Sequence, residues 1–129
     1  MQLKLFKQRY MVAKLPTGAN LPPDIWSGPF CCVTKTEDEL SFVLPESASI
    51  DSPHTERGWR ILQIAEKLDF NLVGILAKLT VVLAEQNIPV FAVSTYNTDY
   101  ILVKEKDLEK AISALTRNGY QIEGTTKTI

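Results

Sequence analysis

Residues 91–103 read FAVSTYNTDYILV. Two apolar runs rich in β-branched residues flank a polar corner, Thr95-Tyr96-Asn97-Thr98-Asp99. The runs at 90–94 and 100–104 have strand composition, and a connection this short predicts an antiparallel hairpin. The corner then has two readings. Asn97, Thr98 and Asp99 supply ordinary turn chemistry through their short polar side chains, or the corner is a turn whose side chains face a ligand.

The flanks of the hairpin carry the rest of the pattern. Upstream, Leu72, Ile75, Leu76, Leu79 and Leu83 recur at i, i+3, i+4, i+7 and i+11, which predicts a helix with one apolar stripe. Asn71, with Asp69 just before it, is placed to cap its start, and Asn87 and Pro89 to end it. Before that helix, WRILQI at 59–64 reads as a strand. Downstream, Asp107 is the expected N-cap of a second helix that buries Leu108, Ala111, Ile112 and Leu115 and stops at Gly119. A last strand follows at 120–123. The order β-α-β-β-α-β is the ferredoxin-like split βαβ pattern, with both helices expected on one face of a four-stranded sheet.

The first half is less regular. QLKLFKQRYMVAKLP reads as one strand ended by Pro16, and LPPDIWSGPF carries too many prolines and glycines for a long element. FCCVTKT and Leu40 to Leu44 are two further strands, and residues 47–58, SASIDSPHTERG, read as the loop that joins two halves.

The chain has 129 residues, 45% hydrophobic and 22% charged, the composition of a globular protein with one ordinary domain or two very small ones. Its formal net charge of -1 gives no basic footprint for nucleic acid or an anionic membrane. No apolar run approaches a bilayer span, and MQLKLFKQRY lacks the apolar core of a signal peptide, so a cytoplasmic location is expected. Cys31 and Cys32 are adjacent, unsuited to a relaxed disulfide with each other, and read as small apolar strand residues. His54 is the single histidine and sits in a polar loop. No nucleophile–base set, phosphate loop or metal cluster can be assembled, so no catalysis, metal or cofactor is expected.

LDFNLVGILAKLTVVLAEQNIPVFAVSTYNTDYILVKEKDLEKAISAL resembles the ACT-domain group of small bacterial amino-acid-binding-like proteins, a group that includes the ACT domains of the animal cytosolic arginine sensors of the mTOR pathway. VTKTEDELSFVLPE and ERGWRILQI follow the same pattern, so the resemblance covers most of residues 30–117. It implies an α+β fold of two tandem ACT-like, ferredoxin-like βαββαβ units, a divergent one over 1–58 and a standard one over 59–129. It also implies a regulatory, amino-acid-binding role, a homodimer, and no catalysis. A detached regulatory piece akin to those fused to aspartate kinase is a related reading, and a ligand-free interaction or oligomerisation module is the alternative.

By similarity to the sensors, the ligand-lining positions map onto Asp69, Leu72, Val73, Gly74, Ile75, Leu76, Thr95, Tyr96 and Asp99. Elementary chemistry gives these positions a rationale. A ligand carboxylate suits the amide-rich, positive start of a helix, and Asp99 with the Thr95 hydroxyl suits an ammonium. Gly74 lacks a Cβ, so a ligand or a packed neighbour can approach its backbone. Asp69 and Asn71 serve equally as caps. Where the sensors can carry an acidic residue this chain has Leu72, which favours a small or apolar amino acid over arginine. The β-α-β-β order alone leaves open whether the helix start and the hairpin corner share one end of the sheet.

Overall fold

A computed structural model describes residues 1–65 and 73–124. The chain divides into two compact units, one formed by Gln8–Trp59 and the other by Met1–Lys7 together with the chain from Arg60 onward.

In the larger unit the predicted order of elements holds. The end of β5 (Thr55–Ile64) is followed by α1 (Ile75–Glu85), β6 (Phe91–Ser94), β7 (Asp99–Lys104), α2 (Leu108–Arg117) and β8 (Gln121–Glu123). β6 and β7 form the antiparallel hairpin read from residues 91–103, in the register Phe91↔Leu102 to Ser94↔Asp99. One strand from the first half of the sequence joins this sheet. β1 (Gln2–Leu5) lies between β5 and β8, antiparallel to the first through Leu3↔Ile64 and parallel to the second through Leu3↔Ile122. Among the described residues the sheet of this unit therefore runs β8-β1-β5-β7-β6, five strands rather than four.

Its core explains the arrangement. Leu3, Leu5, Leu62, Ile64, Ile101 and Val103 alternate along their strands and meet Leu79 and Leu83 of α1 and Leu108, Ala111 and Leu115 of α2. Ile75 and Leu76 pack against the same cluster with partial exposure. Both helices thus share a single core with one side of the sheet.

The stretch read as a single first strand breaks into β1 and β2 (Tyr10–Leu15). Three consecutive long polar residues, Lys7-Gln8-Arg9, are exposed between the two strands. In the Gln8–Trp59 unit, β3 (Cys32–Lys35), β4 (Leu40–Pro45), β2 and the beginning of β5 pair antiparallel in that order. A 3-10 helix, Pro23–Trp26, places Ile25 on the core of Met11, Ala13, Leu40, Phe42, Leu44 and Ile50. This unit carries no α-helix. The loop expected at 47–58 is shorter than read, because Thr55 and Glu56 pair with Ala13 and Val12. Cross-strand pairing outweighs the local turn composition. Cys31 and Cys32 are free, half-buried thiols, and Cys31 packs on this core.

Two helix starts differ from expectation. Among the described residues α1 begins at Ile75, with Gly74 at its N-cap in the left-handed region, φ 79°. α2 follows a 3-10 turn, Glu105–Asp107, whose Glu105 carbonyl accepts the Leu108 N–H. That turn replaces side-chain capping, and Asp107 makes no cap hydrogen bond.

Candidate functional site

The end of β5 is tied to its neighbours on both flanks. Ala65 donates its N–H to the Gln2 carbonyl at 3.0 Å, and Gln121 donates to the Met1 carbonyl at 3.0 Å. These bonds align the end of β5 with the start of β1 and the start of β8. On the other flank, the Thr98 hydroxyl donates to the Ile64 carbonyl at 2.8 Å. The hairpin corner therefore lies at the same end of the sheet as the exit of β5 toward α1.

Within the corner, the Thr95 N–H donates to the Thr98 carbonyl at 2.9 Å, and the Thr95 hydroxyl reaches the same oxygen at 3.1 Å. Thr98 is 5% exposed and anchors the turn, while Tyr96 is 76% exposed. The Asp99 carboxylate accepts a hydrogen bond from the Ser94 hydroxyl, its register partner across the hairpin. A carboxylate has roughly four acceptor sites, so one such bond leaves capacity for an ammonium. The short polar residues around 95–99 are thus turn-forming, as composition implied, and they also hold Asp99 at the rim of the sheet end.

At the helix start, the Lys78 N–H donates to the Gly74 carbonyl at 2.9 Å. The amides of Ile75, Leu76 and Ala77 consequently lie outside the i→i−4 ladder, where they carry the positive end of the helix dipole. Val73, next to them, is 88% exposed. Gly74 lies in the left-handed region that favours glycine. A Cβ there would meet nothing within 4 Å, so the glycine serves the left-handed backbone and not close packing. Asp69 and Leu72, with the capping residue Asn71, lie outside the described residues.

A recess of about 260 Å³ opens beside the first turn of α1, lined by Met1, Ile75, Lys78, Asn118, Gly119 and Tyr120. Of the sequence candidates, it includes Ile75 alone. The others in the α2–β8 turn were missed because they serve the end of α2 in sequence, with Gly119 at φ 91°. Burial pushes the Tyr120 hydroxyl pKa up, so it stays a neutral donor at ordinary pH. Among the described residues no group of His, Cys, Asp and Glu could hold a metal ion. No helix among them is long and apolar enough to cross a membrane.

Residues 54–117 match the model of the ACT domain. The human protein CASTOR3P is 28% identical over 92 residues, covering 61% of this chain and 56% of that protein. The chain thus spans little more than half the length of this curated relative. Among solved structures, protein Atu0741 from Agobacterium tumefaciens superposes with a TM-score of 0.85 at 30% identity, covering 94% of this chain and 90% of that one. Protein VC0802 from Vibrio cholerae shares the fold at a TM-score of 0.68 and 20% identity, over 88% of this chain and 85% of that one. The resemblance carried by the LDF-x-x-x-GIL and TDY-x-LV blocks holds at the family level, and the chain belongs to the ACT-domain proteins, in the group related to CASTOR3P.

Proposed function

We propose that this protein is a non-catalytic regulator that binds an amino acid at the sheet end formed by the start of α1 and the β6–β7 corner. ACT domains are amino-acid-binding regulatory modules, and that membership is the context for the reading. The single observation that carries it is the Thr98–Ile64 hydrogen bond, which puts the acidic corner and the β5 exit at one end of the sheet. The ligand carboxylate meets the amides of Ile75 and Leu76, and its ammonium meets Asp99 with the Thr95 hydroxyl. Asp69, Leu72, Val73, Gly74 and Tyr96 complete the set. The apolar character of Leu72 and Val73 favours a small or apolar side chain. The protein acts in the cytoplasm as a homodimer of two tandem ACT-like units. The Gln8–Trp59 unit is the divergent one, and the N-terminal strand β1 is lent to the standard one.

A thermal-shift panel of the twenty amino acids tests this reading. A ligand at 100 times its dissociation constant adds about 2.7 kcal/mol to stability. One or a few amino acids should raise the melting temperature of the wild type, and the shift should shrink in Asp99→Asn. A panel with no shift at all counts against the reading.

The exposure of Val73 and Tyr96 at the same end favours a second reading, an ACT-type interaction module without a ligand. Its mark is a molecular mass in solution that stays constant across all twenty amino acids, with no thermal shift.

A further inference from the structure

We infer that Thr98 is the positioning residue of this sheet end, a latch that holds the β6–β7 corner against the end of β5. The inference rests on the binding reading above for its consequence, and on the hydrogen bonds alone for its geometry. Thr98 is one of two buried polar or charged residues among those described, and it is wholly committed to bonding. Its hydroxyl donates to Ile64 at 2.8 Å, across 34 residues of sequence. Its carbonyl accepts both the amide and the hydroxyl of Thr95. Its own N–H points at the Thr95 hydroxyl at 3.4 Å.

The consequence follows from where these atoms sit. Ile64 is the last residue of β5, and the chain leaves it toward the start of α1. Among the described residues β6 pairs with β7 alone, and β7 pairs in turn with β5. Backbone pairing ends at Ser94↔Asp99. Beyond that pair, the Thr98 hydroxyl ties the corner to the end of the strand feeding the helix. Thr95 and Asp99 flank Thr98 in sequence and inherit its position. A ligand that touches both the corner and the helix start needs their separation to be set beforehand, because every group ordered on binding costs affinity. Serine retains the donor; valine keeps the shape and strands the buried Ile64 carbonyl without that bond.

The test compares wild type with Thr98→Val, Thr98→Ala and Thr98→Ser. Hydrogen exchange is read at the Thr95 amide, with the α2 amides of Ala111 and Leu115 as internal reference. Thr98→Val and Thr98→Ala should speed Thr95 exchange by about tenfold or more, with α2 unchanged and Thr98→Ser close to wild type. Unchanged Thr95 exchange in Thr98→Val overturns the latch. Equal acceleration in α2 overturns it too, because Thr98 is then a packing residue of the whole core. Calorimetric titration with L-leucine, L-alanine and L-arginine supplies the second arm. Where the wild type binds one of them, Thr98→Val should weaken it by about tenfold and Thr98→Ser should restore it. Equal affinity in all variants refutes the positioning role. Where the wild type binds none of the three, the twenty-amino-acid panel decides the binding reading, and the exchange data alone decide the latch.

Discussion

Tyr10 shows how far a single side chain can report on the fold. Its ring is fully buried in the smaller unit, edge-on to Phe30 with ring centroids 6.0 Å apart. Burial pushes its hydroxyl from 10.0 up to about 12. The folded state then keeps a proton that the unfolded chain gives up, so stability falls as pH rises between those two values. Denaturant midpoints measured from pH 9 to 12 should drop through this window, and Tyr10→Phe should flatten the drop. A slope unchanged by Tyr10→Phe would place the alkaline sensitivity elsewhere. At this scale the sequence is a partial guide. Asp99 and Thr95 stand out in it as polar residues between apolar runs. Ser94, which binds Asp99, looks like the end of a strand, and Thr98 like one more turn residue. Neither partner can be named until the register is known, because Ser94 meets Asp99 across the ladder and Thr98 meets Ile64 from 34 positions away.

Elements were more legible where a long apolar period fixed them and less so at their ends. The α1 stripe is visible from Leu79 and Leu83, both fully buried, and the hairpin from its two β-branched runs. Caps are weaker signals, since a backbone turn can do the work of a side chain. Gly74 and Asp107 make this measurable. Gly74→Ala puts a Cβ on a residue at φ 79° and should cost about 1–2 kcal/mol, with no steric clash to add to it. Asp107→Ala removes no cap hydrogen bond and should cost under about 0.5 kcal/mol, whereas a working N-cap is worth about 1 kcal/mol. Urea denaturation of the two variants checks both values. A large loss in Asp107→Ala, or none in Gly74→Ala, would mean that the helix starts are held differently.

The whole molecule is where sequence reading stopped short, and β1 is the reason. Local patterns see a strand but not its partners, and Leu3 pairs with residues as distant in sequence as Ile64 and Ile122. The four residues of β1 enter the core of the unit that runs from Arg60 onward. Leu3 is fully buried and Leu5 nearly so, between β5 and β8 and beneath both helices. A chain that starts at Gln8 loses both leucines and splits the sheet between its last strand and β5. It should lose cooperative thermal unfolding, which calorimetry reads directly. Sharp two-state melting of that truncated chain, at the wild-type temperature, would show that β1 is dispensable.

On the proposal above, an amino acid lies at one end of the sheet between the amides of the α1 start and the acidic β6–β7 corner. Nitrogen–proton correlation spectra of the labelled protein, titrated with the amino acid that gives the greatest thermal shift, test it most directly. Saturable changes should gather on Val73 to Leu76 and on Thr95 to Asp99 and should vanish in Asp99→Asn. Spectra that do not move with any amino acid, or that move only on strands and helices away from this end, would contradict it.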